Sequence, residues 1–126
     1  MLENLINQLG RDLEMGEIIR KTDEKHYHLP FSDHIEVEAF EKERSLLFKA
    51  IIGKRPEKNT DSFFLKVMEA NLFGAGTRGA SIGLTKDEKL LTLTLELEYN
   101  RSYPVFKEKL EDFVTVLDFW RKEISN

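Results

Sequence analysis

Met68-Glu69-Ala70-Asn71-Leu72-Phe73-Gly74-Ala75-Gly76-Thr77-Arg78-Gly79-Ala80-Ser81-Ile82-Gly83-Leu84 is the stretch whose reading decides how this chain folds. Its apolar residues change from helical spacing to strict alternation, so it joins a helix to a strand. The glycines between supply the positive φ angles and close backbone approach that a reversal needs. Gly74, Gly76 and Gly79 also spell G-x-G-x-x-G. A dinucleotide fingerprint, however, has a strand before the glycines and a helix after them, which aims free N–H groups and a positive dipole at the pyrophosphate. Here the order is reversed, and the glycines follow the negative end of a helix, where glycine is the usual terminating residue. The stretch therefore reads as a helix stop and a wide turn into a strand.

Downstream, Ala80, Ile82 and Leu84 face one way and are answered by Leu91, Leu93, Leu95, Leu97 and Tyr99 across a hairpin whose loop is Lys86–Lys89. Thr92, Thr94, Glu96 and Glu98 make the opposite face polar. Phe106, Leu110, Phe113, Leu117, Trp120 and Ile124 then recur at spacings of four and three, a core-facing stripe on a helix starting near Pro104, with Trp120 its largest anchor.

Upstream, Asn59, Thr60 or Asp61 caps a helix carrying Phe63, Phe64, Leu65, Val67, Met68, Ala70, Leu72 and Phe73. A short helix apolar nearly all round must be covered on more than one side, and a chain of 126 residues has too little material to do so alone. A second subunit is the natural cover.

The N-terminal half supplies a helix and three strands. Leu2, Leu5, Ile6, Leu9 and Leu13 predict an amphipathic helix from Met1 to about Met15, stopped by Gly16. Arg20 to Lys25 reads as a solvated connection. Tyr27, Leu29 and Phe31 alternate with polar neighbours, as do Ile35, Val37 and Ala39. A three-residue loop, Ser32-Asp33-His34, pairs Leu29 with Val37 and Tyr27 with Ala39, and on this reading His28 lies across from Glu36 and His26 across from Glu38. Leu46, Phe48, Ala50 and Ile52 form the third strand, expected to pair Phe48 with Val37 and Ala50 with Ile35, and to set Lys49 beside Glu36. On this third strand Leu47 and Ile51 break the polar face kept by its neighbours, which means either burial on both sides or an exposed, adhesive patch, and the second is expected. Imidazole and carboxylate are ordinary zinc ligands. With no catalytic cleft implied, His26, His28, Glu36 and Glu38 nonetheless read as a solvated face of cross-strand charge pairs, and no metal is expected.

A hydrophobic content of 40% over this length suits a single domain, residues 1–126, with one core. The absence of cysteine excludes a disulfide scaffold and thiolate metal sites and fits a reducing compartment. A net charge of -4 gives no general attraction to nucleic acid or anionic membrane. The N-terminus lacks the pattern of a signal peptide, and no apolar run reaches transmembrane length, so a cytoplasmic protein is expected. No nucleophile is paired with a base in any recognisable motif, and the histidines are confined to one hairpin, so an enzyme is not the first expectation and no cofactor is expected.

The apolar helix ending in Ala70-Asn71-Leu72-Phe73, the glycine turn, Gly79-Ala80-Ser81-Ile82-Gly83-Leu84 and the alternating strand after it resemble the class I type III secretion chaperones, the Tir-chaperone-like family. The resemblance extends over nearly the whole chain, to the aromatic pair Phe119-Trp120. It implies an α+β fold of order α-β-β-β-α-β-β-α, a five-stranded antiparallel twisted sheet packed with three helices, and a homodimer. The dimer contact would run through Phe63, Phe64, Val67 and Phe73 of the apolar helix and Ile82 of the next strand. The implied function is a virulence-associated chaperone that holds the N-terminal region of a secreted effector, with the secretion-apparatus ATPase as a further partner. The effector would contact Leu5, Ile6 and Leu9 of the first helix together with Leu47 and Ile51. The alternative is a small anionic-ligand-binding protein or enzyme using the Gly74–Gly79 turn, with Arg78 on the anion.

Overall fold

The computed structural model describes residues 1–73, 76–98 and 102–125, with Phe73 and Ser125 described by backbone alone. Its elements run α1 (Leu2–Asp12), β1 (Arg20–Asp23), β2 (His26–Pro30), β3 (Glu36–Glu41), β4 (Ser45–Lys54), α2 (Thr60–Phe73), β5 (Ser81–Leu84), β6 (Leu90–Glu98) and α3 (Tyr103–Ser125). The strands form one antiparallel sheet in the order β1-β2-β3-β4-β6-β5. Among the described residues the sheet is thus six-stranded and not five-stranded. The added strand is β1, which lies in the stretch expected to be a solvated connection. All four of its residues are exposed, so it carries no apolar alternation, and only its backbone pairing with β2 makes it a strand.

The core lies between one face of the sheet and the helices. Tyr27, Leu29, Val37, Ala39, Leu46, Phe48, Ala50, Ile52, Leu91, Leu93 and Leu97 all point into it and are buried. The α3 stripe Phe106, Leu110, Phe113, Leu117 and Trp120 closes it from above, with Phe48 packed 5.4 Å from the Phe106 ring and 5.7 Å from Phe113. Burial of apolar surface at about 25 cal/mol per Å² makes this layer the main source of stability. The α1 helix buries Leu2, Leu5, Ile6 and Leu9 beside α3, and Gly10 permits the chain after the helix to return close by: a Cβ there would lie 3.2 Å from the Gly16 Cα. The helix ends at Asp12, three residues before the expected Met15.

The β2–β3 hairpin has the expected register for Leu29 with Val37 and Tyr27 with Ala39. Its turn is held by Ser32, whose Oγ accepts from the backbone N–H groups of His34 (3.2 Å) and Ile35 (3.1 Å). In that register His28 is opposite Glu38 and His26 opposite Phe40, so the expected His–Glu pairs lie on the diagonal and not directly across. The β3–β4 register differs from expectation by two residues: Phe48 pairs with Ala39, and Lys49 with Glu38. The hairpin closes where the Lys42 N–H donates to the Ser45 carbonyl at 2.8 Å, which leaves Glu43 and Arg44 at the tip. A shift of two keeps every side chain on its own face, so the distribution of apolar residues could not distinguish the two registers.

The glycine turn is structural in its visible contacts. The Gly76 carbonyl accepts from the Trp120 indole N–H at 3.0 Å, and Arg78 pairs with Asp112 of α3 at 2.6 Å. Gly79 adopts φ +90°, whereas Gly76 is not in the left-handed region. Gly74 and Tyr99 lie outside the described residues.

Candidate partner-binding surfaces

Three surfaces offer contacts to another chain. The first is the outward side of α2, where Leu65, Met68 and Leu72 are 58%, 67% and 77% exposed at positions i, i+3 and i+7. Their spacing puts them in one stripe. Leu84, at 40% exposure on the adjoining β5, is a further apolar side chain left in water. Of the residues expected at a dimer contact, Val67 and Ile82 are buried in the protomer's own core. Phe63 is half-buried, with its ring edge-on to Trp120, and Phe64 is half-buried beside Phe63. The Phe73 side chain lies outside the described residues. Because α2 is apolar on all sides, periodicity did not reveal which side turns inward. The inward side is Phe63, Val67 and Ala70, and the outward side is the Leu65–Leu72 stripe.

The second surface is a groove of about 380 Å³ between α1 and the β1–β2 edge, lined by Ile6, Asn7, Gly10, Arg11, Gly16, Ile19, Lys21 and Tyr27. The Tyr27 hydroxyl is buried there with no hydrogen-bond partner among the described residues, and burial raises its pKa. Leu13 and Ile18, 37% and 53% exposed, belong to the connection from α1 to β1 that this groove adjoins. Among the expected effector contacts, Leu5, Ile6 and Leu9 are 6%, 3% and 0% exposed, so α1 spends these side chains on the core; Ile6 alone of the three lines the groove. Sequence reasoning missed Ile19 and Tyr27 as a pair because they come to line one groove only when β1 pairs with β2.

The third surface is the outer sheet face. Leu47 is half-buried opposite Phe40 and Glu96, and Ile51 is 41% exposed opposite Thr92, on the face where the sequence placed them. Beside Ile51 lies a depression of about 360 Å³ lined by His28, His34, Glu36, Glu38, Lys49, Ala50 and Arg121. Within it, Glu36 accepts from Arg20 at 2.5 Å and contacts His28 Nδ1 at 2.8 Å.

The two sheet edges are not equivalent. On β5, Asn71 of α2 occupies the outward backbone groups of Ile82. Among the described residues, the outer edge of β1 has no neighbouring strand. A polar helical residue such as Asn71 gave no warning of this role.

Comparison with known proteins agrees with this architecture. The Tir chaperone protein (CesT) family model matches residues 4–121, and the chain belongs to that family. A protein of Chlamydia pneumoniae is 24% identical over 127 residues, spanning 99% of this chain and 97% of the relative. Among solved structures, the HopA1–SchA chaperone–effector complex matches at TM-score 0.75 and 16% identity, covering 96% of this chain and 93% of that one. The Yersinia pestis type III secretion chaperone SycH, in complex with a fragment of YscM2, matches at TM-score 0.71 and 18% identity, covering 93% and 97%. At such identities these structures show a shared fold. No helix among the described residues is long and apolar enough to cross a membrane.

Proposed function

We propose that this protein is a cytoplasmic, homodimeric chaperone that binds the N-terminal region of a type III secreted effector and keeps it export-competent. The observation that carries the reading is the groove between α1 and β1–β2, which adjoins a strand edge open to pairing. An extended peptide there would add main-chain hydrogen bonds along β1 and place alternate side chains against Ile6, Ile19 and Tyr27. Ile51 and Leu47 offer a further contact for a chain that continues over the outer face. The dimer would be closed by the outward side of α2, with Leu65, Met68 and Leu72, together with β5. Family membership and the presence of chaperone–effector complexes among proteins of this fold support the reading. The alternative, an anion held by the Gly74–Gly79 turn, is less favoured because Arg78 is already paired with Asp112.

The test is co-purification of the tagged protein from its native cell, with identification of the bound chain by mass spectrometry. The expected result is a secreted protein whose capture is lost when its N-terminal region is deleted. Ile18→Glu combined with Leu13→Glu should weaken capture without moving the unfolding midpoint of the free chaperone. A chaperone that recovers no secreted protein, or one whose capture ignores the N-terminal deletion, would overturn the proposal.

A further inference from the structure

The outer face of β2 and β3 gathers more ligand chemistry than charge pairing requires. His26 and His28 project from the same face of β2, and Glu38 lies directly opposite His28 on β3. One ligand atom from each of the three residues lies within 4.8 Å of the others. His26 Nε2 and His28 Nδ1 each stand 3.8 Å from a Glu38 oxygen. That is too long for a hydrogen bond. It is close to the separation of about 3.4 Å that two ligands adopt across a tetrahedral zinc ion with bonds near 2.1 Å.

Both rings are held in place before any ion arrives. His26 stacks on Phe40 with ring centroids 4.1 Å apart, and its Nε2 is buried without a hydrogen-bond partner among the described residues. His28 Nε2 contacts Thr22 Oγ1 of β1 at 3.0 Å. The 2.8 Å contact with Glu36 Oε1, a carboxylate that can only accept, makes His28 Nδ1 the donor in the metal-free protein; an ion bound at Nδ1 would move the proton to Nε2, where Thr22 Oγ1 can accept it as an outer-shell partner. Glu36, the other carboxylate on this face, is paired with Arg20 and also holds His28 Nδ1 at 2.8 Å, so it must release that nitrogen for an ion to bind there.

We propose that His26 Nε2, His28 Nδ1 and Glu38 bind a single transition-metal dication of the zinc class, with the fourth coordination position open to water. The two imidazoles favour such an ion over calcium or magnesium, which select oxygen ligands. The cations around the site, Arg20 on β1, Lys49 opposite Glu38 on β4 and Arg121 on α3, disfavour an ion held by electrostatics alone. Binding would therefore depend on the directed nitrogen ligands. It would also require Nδ1 of His28 to exchange its contact with Glu36 for the ion.

Calorimetric titration of metal-stripped protein with Zn²⁺ tests this, together with imidazole NMR of the parent. One Zn²⁺ per chain is expected, with ring signals of His26 and His28 shifting and those of His34 unchanged. His26→Gln and Glu38→Gln should each weaken Zn²⁺ affinity about tenfold or more, while His34→Gln leaves it intact. The NMR readout uses the parent chain, so it stands even if a variant folds poorly. Absence of stoichiometric binding, unchanged affinity in both ligand variants, or shifts centred on His34 would each overturn the proposal.

Discussion

Asn71 and Ile82 are joined by two hydrogen bonds in opposite directions: the Ile82 N–H donates to Asn71 Oδ1 at 2.8 Å, and Asn71 Nδ2 donates to the Ile82 carbonyl at 2.9 Å. The side-chain amide thus reproduces what one residue of a neighbouring strand would offer. It fixes the end of α2 to β5 and closes this point of the edge to strand addition. Asn71→Ala should lower stability by about 1–2 kcal/mol, the sum expected for two modest hydrogen bonds. Asn71→Asp should also destabilise, because a carboxylate accepts from the Ile82 N–H but opposes its carbonyl. Urea unfolding measures both, and an unchanged midpoint for the alanine variant would show the pairing to be energetically idle.

The sequence disclosed those parts of the fold that have one wet and one dry side. The α3 stripe, the β2–β3 pairing and the β5–β6 hairpin all follow from apolar period. Three features escaped it for distinct physical reasons. Strand β1 is exposed at every residue, so no pattern marks it. The β3–β4 register differs by an even number, to which face alternation is blind. Helix α2 is apolar on both sides, so periodicity does not say which side turns inward, and Val67, an expected partner contact, lies in the protomer core. The candidate groove was legible only through Ile6, since its other wall depends on β1.

The glycines of the turn should differ in sensitivity. Gly79→Ala is expected to cost about 1 kcal/mol or more, because φ +90° is unfavourable for any residue with a Cβ. Gly76→Ala should cost less: its φ carries no such strain, and the added Cβ would meet Ala70 Cβ at 3.4 Å and Trp120 at 3.8 Å, ordinary contacts. Thermal melts of the two variants compare them directly. A larger loss for Gly76→Ala would mean that packing against Trp120, and not backbone conformation, governs this turn.

If α2 closes a dimer, its two sides should respond differently to charge. Met68→Glu, on the side 67% exposed at that position, should convert dimer to monomer while keeping the protomer folded. Val67→Asp should unfold the protomer, since burying an unpaired carboxylate costs several kcal/mol. Light scattering and circular dichroism on both variants separate these outcomes. A Met68→Glu protein that remains dimeric would place the contact elsewhere.

The contact between α1 and α3 should make stability depend on alkaline pH. The Tyr103 hydroxyl donates to Asp12 at 2.8 Å, and Lys107 pairs with the same carboxylate at 2.7 Å. Burial, then the hydrogen bond to Asp12, pushes the Tyr103 pKa up from 10.0 to about 12. Lys107 is raised as well, chiefly by its hydrogen bond to Asp12. A folded pKa above the unfolded one means that the stabilisation is complete below pH 10 and is lost as pH climbs from 10 toward 12. Asp12 is shifted downward, first by Lys107 and then by Tyr103, so its contribution is present above the ordinary carboxylate range and fades as acid protonates it. Urea midpoints measured from neutral pH into this alkaline window should fall for the parent. Tyr103→Phe should start lower at neutral pH, having lost the hydrogen bond, and then decline less steeply, because no phenol remains to ionise. Equal alkaline slopes for parent and variant would show that other groups control the loss and that the Tyr103–Asp12 bond does not link α1 to α3 energetically.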